Sequence, residues 1–395
     1  MNDAIVCPSD SEALRKVHSV RPTLCDHRQA RDVPGIDPNV LLHAGPAFSS
    51  PSNIPKPILN SAGAALVFEG VATDFSEARK QILSGEVVLK PAQDHAVVVP
   101  LAGVVSSSMW LHEIVDAAGR APAAYAPLNG GSGPAMRLGQ FSDDVISHFR
   151  WLNGEFMDAI ASVHSQDIDL IPIGVRALQS GDDCHGRTIA GTGYLLGEWR
   201  PQIESYPTVH EFLRQSPMFF LNLWMAACKC MLSGGADTQD SSLITAAGAN
   251  GVEFGFQIAG IAGKWFVGSS APPSGDIGEY APDRALGAIG DSAIVDAAGF
   301  GAMALSYAPD QQKAFEGFVP DDAFELPGLL LPKVHSGFTD LGIRVGMSAR
   351  AVQATRRTPV VALGILDRDG IAGRLGGGIF RYPPDVFDTI SKHLD

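Results

Sequence analysis

Residues 216–235, SPMFFLNLWMAACKCMLSGG, constrain this chain more than any other segment. They read as one helix that is apolar on nearly every side, and such a helix is stable only when layers of structure cover it. Two polar side chains interrupt it. Asn222 and Lys229 lie seven residues apart and so share a face. A polar stripe on a buried helix needs partners, which makes it either a core hydrogen-bond network or the floor of a site. Burial would lower the pKa of Lys229; the blander alternative is a lysine that snorkels to solvent.

The covering layers can be sought along the rest of the chain. Residues 58–83 follow a helical pattern, with Gly85 as a stop. Two β-branched runs, 87–89 and 97–99, read as strands around a polar turn, followed by a Gly-Ser-rich loop that opens a helix near Met109. Residues 125–133, YAPLNGGSG, form another glycine loop. Residues 142–214 look helical almost throughout. After the apolar helix, SSLITAAGANGVEFGFQIAG and KWFVGSSAPPSG alternate strand-like runs with turns, and 360–366 and 378–382 are further strand candidates. The predicted fold class is α/β (mixed α+β), a glycine-rich α/β body with a small helical domain inserted. The boundaries are an extended lead-in over 1–55 that packs over the body or a neighbouring subunit, a first α/β part over 56–140, the helical domain over 141–214 and a second α/β part over 215–395. A length of 395 residues suits two or three domains.

Composition removes several classes of function. A formal charge of −14 argues against nucleic-acid and anionic-membrane partners, but leaves room for a small anionic substrate held by local arginines. Residues 1–10 lack the pattern of a leader peptide. No apolar run reaches the roughly 18 residues of a membrane span. Five cysteines, odd in number and without CxxC spacing, fit reduced thiols. The expectation is a cytoplasmic protein.

Several polar groups are candidates for chemistry. Asp94 beside His95, between two apolar runs, can orient the imidazole or supply acid and base together; a turn capped by Asp94 is the alternative. Ser106, Ser107 and Ser108 offer hydroxyls and free amides for an anion, or simply cap a helix. The loop Asn129-Gly130-Gly131-Ser132-Gly133 lets backbone approach a ligand, and Arg137 can clamp a carboxylate or phosphate. Asp182-Asp183-Cys184-His185-Gly186-Arg187 is the densest polar cluster. It suits His185 as acid/base and Arg187 as a substrate clamp, or else a helix cap with Cys184 buried. Consecutive residues rarely converge on one ion, so no metal is assigned. Glu253, between two glycines, can act as base or hold an amide, and Asp291 reads as a helix cap. No P-loop, GxSxG, HExxH or GxGxxG sequence is present, so no cofactor is expected.

Taken in order, HAGP, KPAQDH, PLAGVVSSSM, AYAPLN, GDDCHGRT, FLNLWMAACK, NGVEFG and GDSAIVDAAG resemble the YlbE-like family of bacterial proteins over roughly two thirds of the chain. The resemblance implies a subunit of an oxamate carbamoyltransferase, interconverting oxalurate plus phosphate with oxamate plus carbamoyl phosphate in allantoin and purine nitrogen breakdown. It also implies an oligomer with a FdrA-like partner. The sequence lacks the Ser-x-Arg-Thr motif of ordinary carbamoyltransferases, so the chemistry would use another constellation. On that reading Ser106, Ser107, Ser108, Arg137 and Arg187 bind phosphate or carboxylate. His95 (oriented by Asp94) or His185 polarises the carbonyl or carries the proton, and Asn129, Asn222 and Glu253 position amide groups. The rival readings are an amidohydrolase acting on a ureido or cyclic amide, and a non-catalytic partner in a multi-chain enzyme.

Overall fold

The apolar helix forms as Phe219–Ser233, and every residue from Leu223 to Leu232 is buried. A computed structural model describes residues 7–37, 39–200 and 202–394. On one side of the helix lies an antiparallel sheet in the order Ala124–Pro127, Trp110–Asp116, Pro22–Gln29, Ile168–Asp169. On the other lie the short helix Ala293–Ala298 and a second antiparallel sheet, ordered Ile261–Ser269, Glu253–Ile258, Ile244–Asn250, Ile289–Gly290. The expected burial between layers is what the fold provides, and the mixed α+β class holds.

Two three-stranded sheets complete the body. Val360–Leu366 pairs with Arg374–Arg381 in an antiparallel hairpin, and Ser274–Asp276 adds an edge. Val40–His43 pairs in parallel with Val88–Pro91 and antiparallel with Val104–Val105. Residues 142–214 are indeed rich in helix: Asp143–Trp151, Met157–Val163, Leu170–Gln179, Ile189–Glu198 and Pro207–Arg214. Among the described residues no helix is long and apolar enough to cross a membrane.

Three expectations are corrected. The first 55 residues are not an extended lead-in where they are described. Pro8–Val17 is a helix, and Pro22–Gln29 sits inside a sheet. The helix is tied down by Asp10, whose buried carboxylate accepts from Ser241 Oγ (2.8 Å), Ser242 N (2.6 Å), Ser242 Oγ (2.8 Å) and Ser348 Oγ (2.9 Å). Residues 97–99 form no strand; Val97 makes a single bridge to Tyr125. The loop carrying the three serines opens a strand, Trp110–Asp116, rather than a helix. One hydroxyl and one amide of it are instead occupied by the chain's own anion: Ser106 Oγ (2.5 Å) and Ser108 N (2.9 Å) both donate to Glu69 Oε1.

Candidate functional site

Seven separated stretches meet where the amino-terminal end of the apolar helix faces the hairpin Val360–Leu366/Arg374–Arg381. They enclose a cavity of about 80 Å³, small beside the roughly 300–1,000 Å³ of most small-molecule sites. Asn129, Arg137, His185, Asn222, Ser292, Gln311 and Arg374 supply its polar lining.

The loop after Leu170–Gln179 delivers His185. Asp183 fixes this loop by accepting from the backbone N–H groups of His185 and Arg187, both at 2.8 Å. The bend requires Cys184 to adopt φ +64°, a conformation that costs a non-glycine residue about 1–3 kcal/mol and clusters at functional sites. Its thiol is fully buried, and burial raises its pKa well above the usual value, so it is a packing group. His185 Nδ1 bonds to Asp296 Oδ2 at 2.6 Å, and Asp296 Oδ1 accepts from Ala302 N at 2.7 Å. Burial alone would lower the imidazole pKa; the Asp296 carboxylate and its hydrogen bond outweigh that and raise it. With Nδ1 committed, Nε2 is the ring nitrogen left for the cavity. Gly301 (φ +59°) permits the contact, since a Cβ there would lie 2.5 Å from Asp296 Oδ1 and 2.8 Å from His185 Cβ.

Two guanidiniums face the same space. Arg137 follows the glycine loop; its Nη2 donates to Gly131 O at 2.6 Å, and its Nη1 is buried without a partner. Burial and the nearby Arg374 push its pKa down to about 10. Arg374, at the start of its strand, donates from Nε to Gly376 O at 2.9 Å, and desolvation lowers its pKa as well. Among the described residues neither has a carboxylate within ion-pairing distance. The buried Nη1 of Arg137 lacks a counter-charge, which costs several kcal/mol; Arg374 is exposed, and a ligand anion is the natural partner for both.

The asparagines are largely occupied with each other. Asn129 Nδ2 donates to Met218 O (3.0 Å) and Asn222 Oδ1 (3.1 Å), while Asn222 Nδ2 donates to Pro127 O (2.7 Å). They lock the glycine loop to the apolar helix. Ser292, one helical turn before Asp296, presents a hydroxyl with no hydrogen bond to the described protein. The rim at Pro100 and Leu101 is strained, with Leu101 at φ +48°.

Asp291 holds that rim. It is not the helix cap expected of it, because its side chain turns inward. Oδ1 accepts from Gly45 N (2.9 Å) and Gln93 Nε2 (2.7 Å), and Oδ2 accepts from Val99 N (2.9 Å). Burial raises its pKa to about 7, and burial lowers that of nearby Lys229 to about 8. Lys229 donates to Thr245 O at 3.0 Å and lies outside the cavity lining.

The structure thus brings Asn129, Arg137, His185 and Asn222 together and leaves the other sequence candidates elsewhere. Asp94 does not orient His95; its Oδ1 accepts from Gln257 Nε2 (2.7 Å) and Trp265 Nε1 (2.9 Å). Glu253 begins an antiparallel strand away from the cavity. Arg187 reaches Asp310 (3.3 Å) and Asp182 (3.6 Å). Arg374, Ser292, Asp296 and Gln311 were not foreseen. Ser292 and Asp296 carried one usable signal, four-residue spacing within GDSAIVDAAG, and Arg374 another, an arginine ahead of three consecutive glycines. Among the described residues no group of three or more His, Cys, Asp or Glu is arranged to hold a metal ion.

Fold and cavity define a mixed α+β protein whose carboxylate-backed histidine shares a small cavity with two unpaired arginines. The chain belongs to the family described as oxamate carbamoyltransferase subunit AllG, whose family model matches residues 87–292. It is 28% identical to the Escherichia coli protein named oxamate carbamoyltransferase subunit AllG, over 98% of this chain and 97% of that one. It is 30% identical to YahG, an uncharacterized Escherichia coli protein, over 97% of this chain and 84% of the relative. A crystal structure of a conserved Enterococcus faecalis protein of unknown function superposes with a TM-score of 0.91 at 29% identity, covering 98% of this chain and 96% of the other.

Proposed function

We propose that this chain is a subunit of an oxamate carbamoyltransferase and that carbamoyl transfer between oxalurate and phosphate takes place in the arginine-lined cavity. The observation that carries this reading is the meeting of Arg137 and Arg374, both without a carboxylate, beside His185. The transfer needs an anion site for phosphate or carboxylate, donors toward the developing oxyanion and a group that manages the proton on nitrogen. Arg137 and Arg374 supply the first two, and His185, held by Asp296, the third. Asn222 and Gln311 are placed to meet a ureido or oxamate amide. Ser106, Ser107, Ser108, His95 and Glu253 have no part in this cavity.

The family name speaks of a subunit, and the sequence resemblance implies a FdrA-like partner chain. The test is therefore run on this chain alone and with its partner chains. Oxalurate and phosphate are supplied, and oxamate and carbamoyl phosphate are assayed. Phosphate-dependent oxamate formation is the expected result. Consumption of oxalurate without phosphate would instead mean an amidohydrolase. Turnover in the mixture that survives loss of both Arg137 and Arg374 would make this chain a non-catalytic partner.

A further inference from the structure

We infer that His185 Nε2 is a covalent carrier, taking the carbamoyl group from the ureido substrate and handing it to phosphate in a second step. The inference rests on the carbamoyl-transfer reading above and gives that reaction an order of events.

Three features lead to it. First, His185 Nε2 and the Ser292 hydroxyl are the nucleophiles among the cavity's polar lining groups, since the others are amides and guanidiniums. Second, the ring is held as a nucleophile must be. Nδ1 is bonded at 2.6 Å to a carboxylate that is itself pinned by Ala302 N, and Asp183 clamps the backbone on both sides of the imidazole. Third, Arg137 and Arg374 line the same cavity as the ring, so one anion site can serve the oxalurate carboxylate and then phosphate in turn.

The chemistry also separates the two nucleophiles. A carbamoyl group on imidazole nitrogen is activated, because the nitrogen lone pair belongs to the ring and gives little stabilisation to the carbonyl. It therefore lies near carbamoyl phosphate in transfer potential. A carbamate ester on serine is far less reactive and would be a dead end toward phosphate. Ser292 lacks a second requirement, because no hydrogen bond joins it to His185.

The steps balance. The Nε2 lone pair forms a bond to the ureido carbon of oxalurate, and the bond from that carbon to the oxamate nitrogen breaks. The leaving nitrogen takes one proton from solvent, and the imidazole passes its Nδ1 hydrogen to Asp296, which releases it to solvent, so neutral carbamoyl-histidine and oxamate result with no net change in protons. Hydrogen phosphate then attacks the same carbon through oxygen, the carbon–Nε2 bond breaks, and the phosphate proton restores the imidazole hydrogen. Arg137 and Arg374 hold first the oxalurate carboxylate and then phosphate. Nε2 must be unprotonated to attack, so the first step accelerates as pH rises through the imidazole pKa.

The experiment mixes oxalurate, labelled in its ureido carbon, with the chain and whatever partner chains turnover requires, in the absence of phosphate. The expected result is one equivalent of oxamate per chain and label bound to protein. Peptide mass spectrometry should show one added carbamoyl group on His185, and added phosphate should chase it to carbamoyl phosphate. His185→Gln should take up no label, and Ser292→Ala should still take it up. Initial rates with both substrates varied give parallel double-reciprocal lines, a readout that needs no variant. Label on Ser292 would overturn the assignment. Normal turnover with phosphate but no phosphate-free oxamate and intersecting lines would overturn the covalent step and leave the carbamoyltransferase reading standing. No turnover under any condition would overturn both.

Discussion

Two groups of buried histidines in this protein have opposite surroundings. His185 sits against Asp296, and its pKa is raised. His27, His112 and His164 pack edge to face, with ring centroids 5.0 and 5.2 Å apart. The first two share a bond between their Nδ1 atoms at 3.1 Å. Among the described residues no carboxylate is hydrogen-bonded to their ring nitrogens. Both Nε2 atoms of that pair and both ring nitrogens of His164 lack partners. Burial pushes the His27 pKa down to about 3 and that of His112 well below its usual value. Burial alone makes an imidazole a neutral packing group; burial with one fixed carboxylate keeps it able to carry charge. The histidine count therefore says nothing about chemistry, whereas the atom behind each ring does.

The largest expected effect comes from erasing this difference. Asp296→Asn should lower turnover by about 100-fold to 10,000-fold, the usual range for a misdirected acid/base group, with a much smaller relative change in melting temperature. Gly301→Ala disturbs the same pair without altering either member. It should cost about 1–3 kcal/mol in denaturant midpoint analysis and reduce turnover as well, because the new Cβ would press on both Asp296 and His185. Arg137→Met separates binding from stability. Phosphate affinity by calorimetry should fall at least about tenfold, as for a lost hydrogen bond to a charged group. The melting temperature should hold or rise, since a buried unpaired charge is gone.

The smallest effect concerns the acid limb. The folded pKa of His27 and His112 lies below the unfolded value of about 6.5, so the unfolded chain takes up their protons first. Stability contributed by these neutral rings is present above that pH and lost as pH falls toward the folded pKa. His112→Phe should flatten the decline of melting temperature below about pH 6.5 and leave turnover unchanged. His185 has the reverse sign: its contribution is full below the unfolded pKa and is lost as pH rises through the higher folded one.

The sequence revealed these features unequally. The apolar helix was legible because nothing but a multilayer fold can cover it, and the strand Val360–Leu366 because an apolar run of β-branched and aliphatic residues, broken only by Gly364, leaves little choice. The strand Pro22–Gln29 was hidden: PTLCDHRQ shows no alternation, the register slips between Leu24 and Asp26, and buried Thr23 and His27 look polar on paper. At the site, His185, Arg137, Asn129 and Asn222 stood out because polar groups in glycine loops or on an apolar helix demand partners. Arg374 and Asp296 did not, since their significance is a distance to residues far away in the chain. The serine loop misled for the opposite reason: its donors do bind an anion, and that anion is Glu69.

The cavity wall draws on Pro100, the glycine loop, the His185 loop, the start of the apolar helix, Ser292, Gln311 and the carboxy-terminal hairpin. None of these stretches can assemble it alone, and long-range contacts of this kind form slowly because loop closure precedes any gain from packing. On refolding from denaturant, helical signal should therefore return well before phosphate binding. A nascent chain emerging from the ribosome would lack the cavity until the hairpin Val360–Leu366/Arg374–Arg381 closed.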